Sequence, residues 1–252
     1  MAKQRADILM VDRGLAQSRE RARALVMAGK VFSGERRVDK AGDLLAVDAA
    51  LEVRGDDLPY VSRGGVKLAG ALDALGVDPS GRVVADFGAS TGGFTDCVLQ
   101  RGATRVYAID VGRGQLHEKL RQDPRVVLME KTNARELSAA SLPERVDLVV
   151  IDASFIGLGK LLPAAIALLA EGGEILAMVK PQFEVGPKGL KKGVVRDPEL
   201  RAGAIATVEA QAIALGLEVR GRCDSVLAGP EGNVEAFLRL VPSLASRPRP
   251  AE

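Results

Sequence analysis

Five short apolar runs, set apart by stretches of helical length, govern the chain from residue 82 to residue 180. They are RVVADF (82–87), RVYAID (105–110), RVVLME (125–130), VDLVVID (146–152) and EILAMVK (174–180). Runs this short, without strict polar alternation, fit strands buried on both faces, and the segments 92–101, 115–122 and 157–170 fit covering helices. Such a pattern demands a largely parallel sheet with helical crossovers, an α/β architecture. Further helices fit 64–75, ahead of the first run, and 198–215, after the fifth. Two last runs, LEVRGRCDSV (217–226) and EAFLRLV (235–241), are separated by LAGPEGN, short enough for an antiparallel hairpin at the sheet edge. The sheet is thus predicted to have seven strands, mostly parallel.

The first 59 residues read differently, as a small α+β unit. ADILMVDRG is a short helix stopped by Gly14, and SRERARALVMAG is a second, with Ser18 as N-cap and Gly29 just past its end. KVFSGERRV and DLLAVDAALEV suit small strands around a turn at Ser33-Gly34. Residues 1–40 hold ten Lys or Arg against five acids, a local net charge of +5 in a chain of net charge +2. Arg19 and Arg23, four apart on a helix, project together. A basic surface on a nearly neutral chain points to a polyanion, although a solvated helix face is the commoner meaning of a charge run. The polar, Gly- and Pro-bearing junction RGDDLPYVSRGG places a linker at 60–63, followed by a larger domain at 64–244 and a tail at 245–252 expected to be disordered.

Several classes are set aside by composition. No apolar run approaches the roughly 20 residues that span a bilayer, and the N-terminus lacks the form of a secretory signal, so a cytoplasmic protein is expected. Two cysteines, Cys97 and Cys223, without a C-x-x-C pair support neither a disulfide framework nor a zinc site. The single histidine, His117, excludes a multi-histidine metal centre, and no metal is expected.

GASTGG (88–93), directly after the first apolar run, admits two readings. One is the G-x-S-x-G elbow of a hydrolase, with Ser90 as nucleophile; the other is a nucleotide-binding glycine turn with Ser90 in place of the middle glycine. The elbow needs a histidine late in the chain, and none follows the later strands. The glycine turn has positive support, because Asp110 closes the second strand 22 residues after Gly88, where doubly wound folds place an acid on ribose hydroxyls. NAD and S-adenosylmethionine both use such a turn. Asp86 immediately before it would repel a pyrophosphate and favour a cationic donor, and Ser90 displaces the glycine that lets a pyrophosphate approach closely. Both features favour the methyl donor.

On the acceptor side, Asp152 in IDASF and Lys180 in MVKPQFE emerge at the carboxyl edge of the sheet. Charged residues there are usually solvated. A lysine that closes an apolar strand before a proline is set for partial desolvation, which lowers a lysine pKa from its reference of about 10.4. With His117 on another element, a lysine is the best available base.

Lys67, Asp152, Lys180 and Glu235 together resemble the K-D-K-E tetrad of the FtsJ/RrmJ class of ribose 2′-O-methyltransferases, and DFGASTGGFTD resembles that class's donor motif. SRERARALVMAGKVFSGERRVDKAG resembles the S4 RNA-binding domain. Joined by YVSRGGVKL, the two resemble the TlyA family, whose members methylate ribosomal RNA on ribose and often carry a hemolysin label. The resemblance covers nearly the whole chain and implies a Rossmann-like S-adenosylmethionine-dependent methyltransferase with an S4-like domain at its N-terminus. It implies Lys180 as general base, with Asp152 and Glu235 orienting it and Lys67. Asp86, Gly88, Ser90, Gly92, Gly93, Phe94 and Asp152 would form the donor site, with Asp110 on the ribose and Asn133 facing the adenine. Ribosomal RNA or a ribosomal subunit is the implied partner, held by Arg5, Ser18, Arg19, Arg23, Lys30 and Arg63. The Gly-rich loop GPKGLKKGVVR adds Lys188, Lys191, Lys192 and Arg196 beside the acceptor site, for phosphate and shape contacts rather than base stacking. A non-catalytic RNA-binding protein and a protein with indirect membrane activity remain the competing classes; donor binding without transfer would mark the first, an amphipathic segment the second.

Overall fold

The structure is a computed structural model that describes residues 3–16, 18–27, 29–34, 36–53, 59–186, 189–190, 193–229 and 232–243. Lys188, Lys191, Lys192 and the tail expected at 245–252 lie outside the described residues. The chain divides into two compact units, Met1–Asp57 and Leu58–Glu252.

The first unit runs β1 (Lys3–Arg5), α1 (Ala6–Asp12), α2 (Arg19–Met27), β2 (Val31–Ser33), β3 (Arg36–Arg37), β4 (Leu44–Ala46) and β5 (Leu51–Val53). Both helices pack apolar side chains (Ala6, Met10, Ala22, Leu25, Val26) around Val31 and Val38. Gly14 and Gly29 adopt φ of +70° and +69° just beyond the helix ends, the left-handed turn that glycine makes without cost. The run 43–53 holds two short strands. β4 pairs antiparallel with β1, and β5 pairs antiparallel with β2, whose other neighbour is β3. A tight turn separates β4 from β5: Ala49 N–H donates to the Ala46 carbonyl at 2.9 Å, and the Arg13 guanidinium holds the carbonyls of Val47 and Ala49.

The second unit runs α3 (Arg63–Leu75), β6 (Val83–Phe87), α4 (Gly93–Gln100), β7 (Arg105–Ile109), α5 (Glu118–Arg121), β8 (Val126–Met129), β9 (Val146–Ile151), α6 (Leu162–Leu168), β10 (Leu169–Val179), α7 (Pro181–Glu184), α8 (Pro198–Ala214), β11 (Leu217–Asp224) and β12 (Ala236–Pro242). Its seven strands lie in the order β11-β12-β10-β9-β6-β7-β8. All neighbours are parallel except β12, which is antiparallel to both β10 and β11. Period-two alternation divides the strands between two cores. Ala85, Phe87, Tyr107, Ile109, Val149 and Ile151 pack with α6 and α8. Val84, Val106, Ala108, Leu148 and Val150 pack on the other face with Leu68 and Leu72 of α3, Val98 of α4 and Leu120 of α5. Each Val, Leu, Ile or Phe among them contributes about 1.5–3 kcal/mol on burial, so a one-residue slip, which would exchange the two faces, is strongly opposed.

Two helices are shorter than their sequence windows. The window 115–122 yields only Glu118–Arg121, and 157–170 yields Leu162–Leu168 after a single 3₁₀ turn at Leu158–Lys160. A proline in its first turn sets the start of α6. β10 already begins at Leu169, and its register against β9 shifts between Leu169 and Glu174 around the pair Gly172-Gly173.

The chain leaves β6 outward through β7 and β8, then returns to β9 on the other side of β6. This reversal opens a crevice at the carboxyl ends of β6 and β9. The starts of α3 and α4 close one flank of it, and small residues let them approach. A Cβ on Gly93 would lie 2.2 Å from Ser62 Oγ and 2.8 Å from the Gly65 backbone nitrogen. The hydroxyl can rotate away but the backbone cannot. Gly93→Ala is therefore expected to lose about 1–2 kcal/mol of stability, overpacking outweighing the modest helix gain of alanine. Urea unfolding that gives equal or greater stability would show that the two helix starts have slack.

Candidate active site

The turn after β6 is pinned from three sides. Gly88 and Ala89 N–H both donate to the Ile109 carbonyl at the end of β7, at 2.9 and 3.1 Å. A Cβ on Gly88 would stand 2.9 Å from the Asp152 carbonyl oxygen, so only glycine fits between β6 and the segment after β9. Ser90 takes φ +48° and donates its N–H to Asp110 Oδ2 at 2.8 Å, while Gly112 N–H donates to Asp110 Oδ1 at 2.7 Å. One carboxylate thus ties together the turns that follow β6 and β7. Ser90 Oγ faces Gln115 Oε1 at 3.2 Å. His117 is spent as the cap of α5, its Nδ1 accepting from Lys119 N–H at 3.2 Å. The hydrolase reading of Ser90 therefore has no base.

Two cavities meet at this turn. One, of about 430 Å³, is lined by Ser62, Arg63, Gly64, Lys67, Gly93, Phe94, Lys180 and Glu235. The other, of about 470 Å³, is lined by Asp110, Gln115, Asn133, Arg135, Phe155 and Ile156. Gly88, Ser90, Asp152 and Ser154 line both and form their common wall.

The four residues read as a tetrad all line the first cavity, as two ion pairs. Lys67, on α3, pairs with Glu235, just before β12, and both are buried. Lys180, at the end of β10, is only 9% exposed. It meets Asp152 Oδ1 at 2.6 Å, Ser154 Oγ at 2.8 Å and the Asp152 carbonyl at 3.4 Å. Ser154 was missed from the sequence; its signal is its place two residues beyond the strand-end acid, on the same stretch of chain.

The residues expected to hold a donor divide between the cavities. Asp110 and Asn133 line the second, Gly93 and Phe94 the first, and Gly88, Ser90 and Asp152 both. Phe94 is buried against Phe237, ring centroids 6.0 Å apart. Asn133 caps a short 3₁₀ turn, Oδ1 accepting from Arg135 N–H at 3.2 Å. Asp86 and Gly92 line neither cavity. Gly92 adopts φ +98°, a conformation that glycine makes without cost, and a Cβ there would meet the side-chain ends of Leu120 and Leu116 at 2.3 and 2.7 Å. Asp86 is fully buried behind the turn, where Thr95 Oγ1 donates to its Oδ2 at 2.7 Å. Burial pushes its carboxyl up to about 7, and the negative charges of Asp152 and Asp110 add to the rise. Its Oδ1 has no hydrogen-bond partner among the described residues. Thr95 too escaped the sequence reading; it sits in the first turn of the helix that follows the strand, facing back to the strand end.

Of the residues expected on RNA, Arg63 begins α3, lines the first cavity and donates to the Ala228 carbonyl at 3.0 Å. Arg196 is exposed. Ser18 spends its hydroxyl on capping α2, accepting from Arg21 N–H at 3.2 Å. Lys30 lies between α2 and β2. Arg5, Arg19 and Arg23 converge on the carboxylate of Asp7. Among the described residues no cluster of His, Cys, Asp and Glu could hold a metal, and no helix is long and apolar enough to cross a membrane.

Comparison with known proteins bears on both units. The family model of FtsJ-like methyltransferases matches residues 60–241, and that of the S4 domain matches residues 4–50. The chain is 48% identical over 238 residues to the 16S/23S rRNA (cytidine-2′-O)-methyltransferase TlyA of Mycobacterium tuberculosis, spanning 94% of this chain and 89% of that protein. It is 36% identical over 240 residues to Hemolysin A of Brachyspira hyodysenteriae, spanning 94% and 99%. A solved structure from Streptococcus thermophilus that carries the hemolysin name superposes with a TM-score of 0.76 at 41% identity, covering 97% of this chain and 90% of that one. A turn, a crevice and two lysine–carboxylate pairs of this kind thus sit in a chain that belongs to the FtsJ-like methyltransferase family, in the S4-bearing group that includes the TlyA proteins.

Proposed function

We propose that the protein methylates a ribose 2′-hydroxyl of ribosomal RNA, a cytidine by analogy with its relatives, using S-adenosylmethionine, in the cytoplasm. One observation carries the reading: a buried lysine–carboxylate pair, Lys67–Glu235, and a partly buried one, Lys180–Asp152, line a cavity that shares a wall with the glycine turn. In this reading residues 1–59 bind RNA, 60–63 link, and 64–244 carry the chemistry.

The donor site suits the cofactor by its own chemistry. Asp110 and Asn133 would hold the adenosine end, and Gly88 to Ser90 the amino-acid end. The unpaired buried oxygen of Asp86 supports a cationic ligand, because a nearby positive charge favours the ionised carboxylate that burial opposes. S-adenosylmethionine, when bound, supplies a methyl group on a positively charged sulfur.

The chain's own residues prepare the acceptor. Lys67, fixed by Glu235, steers the hydroxyl, and Arg63 at the cavity rim meets RNA phosphate. Lys180 takes the hydroxyl proton in its neutral form, with Asp152 and Ser154 fixing where its nitrogen stands. A base so placed contributes about 10²–10⁴-fold, and alignment of the two reactants adds to it. A second reading draws on the same contacts: three acceptors around Lys180 match the three N–H of an ammonium. In that case the lysine orients the hydroxyl and the proton leaves to water.

Two experiments test these assignments. Lys180→Ala, folded by circular dichroism, is expected to lower single-turnover methylation by about 10²–10⁴-fold with donor affinity unchanged. Lys180→Arg should not rescue it, because a guanidinium stays protonated; full activity in that variant would favour the orienting role instead. The second concerns Asp86. Its carboxyl is raised from the ordinary 3.8 to about 7, so between those values the native state holds a proton that the unfolded chain has released. Stability of the ligand-free protein should therefore fall as pH rises from about 4 to about 7, and Asp86→Asn should flatten that fall. A bound cation favours the ionised form, so affinity for S-adenosylmethionine should rise from pH 6 to 8 in the parent and not in Asp86→Asn. Calorimetry finding the same pH dependence in both proteins would remove Asp86 from the donor site.

A further inference from the structure

The arginines of the N-terminal unit share a partner that the functional reading leaves unused. Asp7, in the first turn of α1, is fully buried. Arg5, immediately before the helix, grips both its oxygens, Nε on Oδ1 and Nη2 on Oδ2, each at 2.9 Å. From α2, Arg19 Nη2 and Arg23 Nε reach Oδ2 at 3.4 Å. The arginine side chains themselves stay 42, 48 and 51% exposed. Hydrogen bonds from Arg5 first, then from Arg23 and Arg19, hold the Asp7 carboxyl well below the usual carboxylate range against its burial.

Three guanidinium groups around one carboxylate leave an excess of positive charge, which Glu20, exposed beside Arg19 and Arg23, reduces without cancelling. Arginines four apart on a helix repel one another, and a guanidinium matches a phosphate only when its plane is held. A buried anion beneath all three meets both needs from inside the protein and leaves their outer edges to a ligand. We infer that Asp7 is a positioning residue that holds Arg5, Arg19 and Arg23 as one preformed phosphate-binding surface for RNA. The inference rests on the reading of this unit as RNA-binding.

The test turns on the sign of an effect. Asp7→Asn in the full chain adds one net positive charge. If Asp7 only neutralises, the variant should bind a ribosomal RNA transcript more tightly, with a salt slope steeper by about 0.9. If Asp7 positions, affinity should fall by about tenfold and the slope should not steepen, while S-adenosylmethionine affinity stays unchanged. Affinity that rises or holds in Asp7→Asn overturns the inference. Should thermal melting show that this variant does not fold, Arg5→Lys serves instead. It keeps the charge and loses the two-point grip, so affinity should fall severalfold at unchanged slope; parent-level affinity there overturns the inference equally. A parent protein that fails to bind the transcript refutes the RNA reading itself, an outcome distinct from a parent that binds while the Asp7 variant binds as well.

Discussion

Gly88 and Asp152 approach so closely that a methyl group between them would touch the Asp152 backbone at 2.9 Å. The rest of the site depends on this contact. It brings the ends of β6 and β9 together at the point where the strand order reverses, and makes one wall serve two cavities. Asp110 then fixes the turn through two backbone hydrogen bonds, each about 1.5–3 kcal/mol for a charged acceptor. Transfer of a methyl group from a donor to an acceptor needs two adjoining pockets and little room for the reacting atoms to wander. A shared wall of backbone and short side chains supplies that.

Buried ion pairs are poor devices for stability, since the desolvation of both charges consumes much of their attraction. Lys67–Glu235 and Lys180–Asp152 are both largely shielded from water, and apolar residues of the same volume would pack as well. Their placement at strand and helix ends around one cavity is better explained by use than by stability. Each lysine is held where it stands by a carboxylate from a different element, so neither depends on a flexible stem to find its position. Asp86, by contrast, is buried with one oxygen that has no hydrogen-bond partner among the described residues.

The sheet was legible in the sequence because its strands are buried on both faces, which leaves short apolar runs spaced at helix-length intervals. Strand ends such as Asp152 and Lys180 followed from the runs themselves. Helix lengths were less legible: the windows at 115–122 and 157–170 extend beyond the helices observed, because His117 as cap and a proline in the first turn of α6 decide where they start. The break between β4 and β5 depends on Arg13 reaching across from α1, a contact between residues more than thirty positions apart. Separation in sequence likewise hid the pairing of Lys67 with Glu235, 168 residues apart, and the packing of α2 on α1 hid the gathering of Arg19 and Arg23 on Asp7. Motif spacing alone also does not show that a Cβ at Gly92 would meet Leu120 and Leu116.

The insertion of β12 has a consequence for how the molecule is made. β12 lies between β10 and β11, and β11 has no other neighbour in the sheet. Glu235, at its start, is 168 residues from the lysine it pairs with. During synthesis from the N-terminus, β6 to β10 can assemble while this last strand is still unmade. Until it arrives, β10 presents an open edge, β11 has nothing to pair with, and Lys67 has lost the carboxylate that anchors it. Contacts this distant in sequence close late, so one event completes both the sheet and the cavity. A nascent or truncated chain ending before residue 235 would hold the glycine turn and lack the assembled acceptor site, which ties chemical competence to completion of the polypeptide.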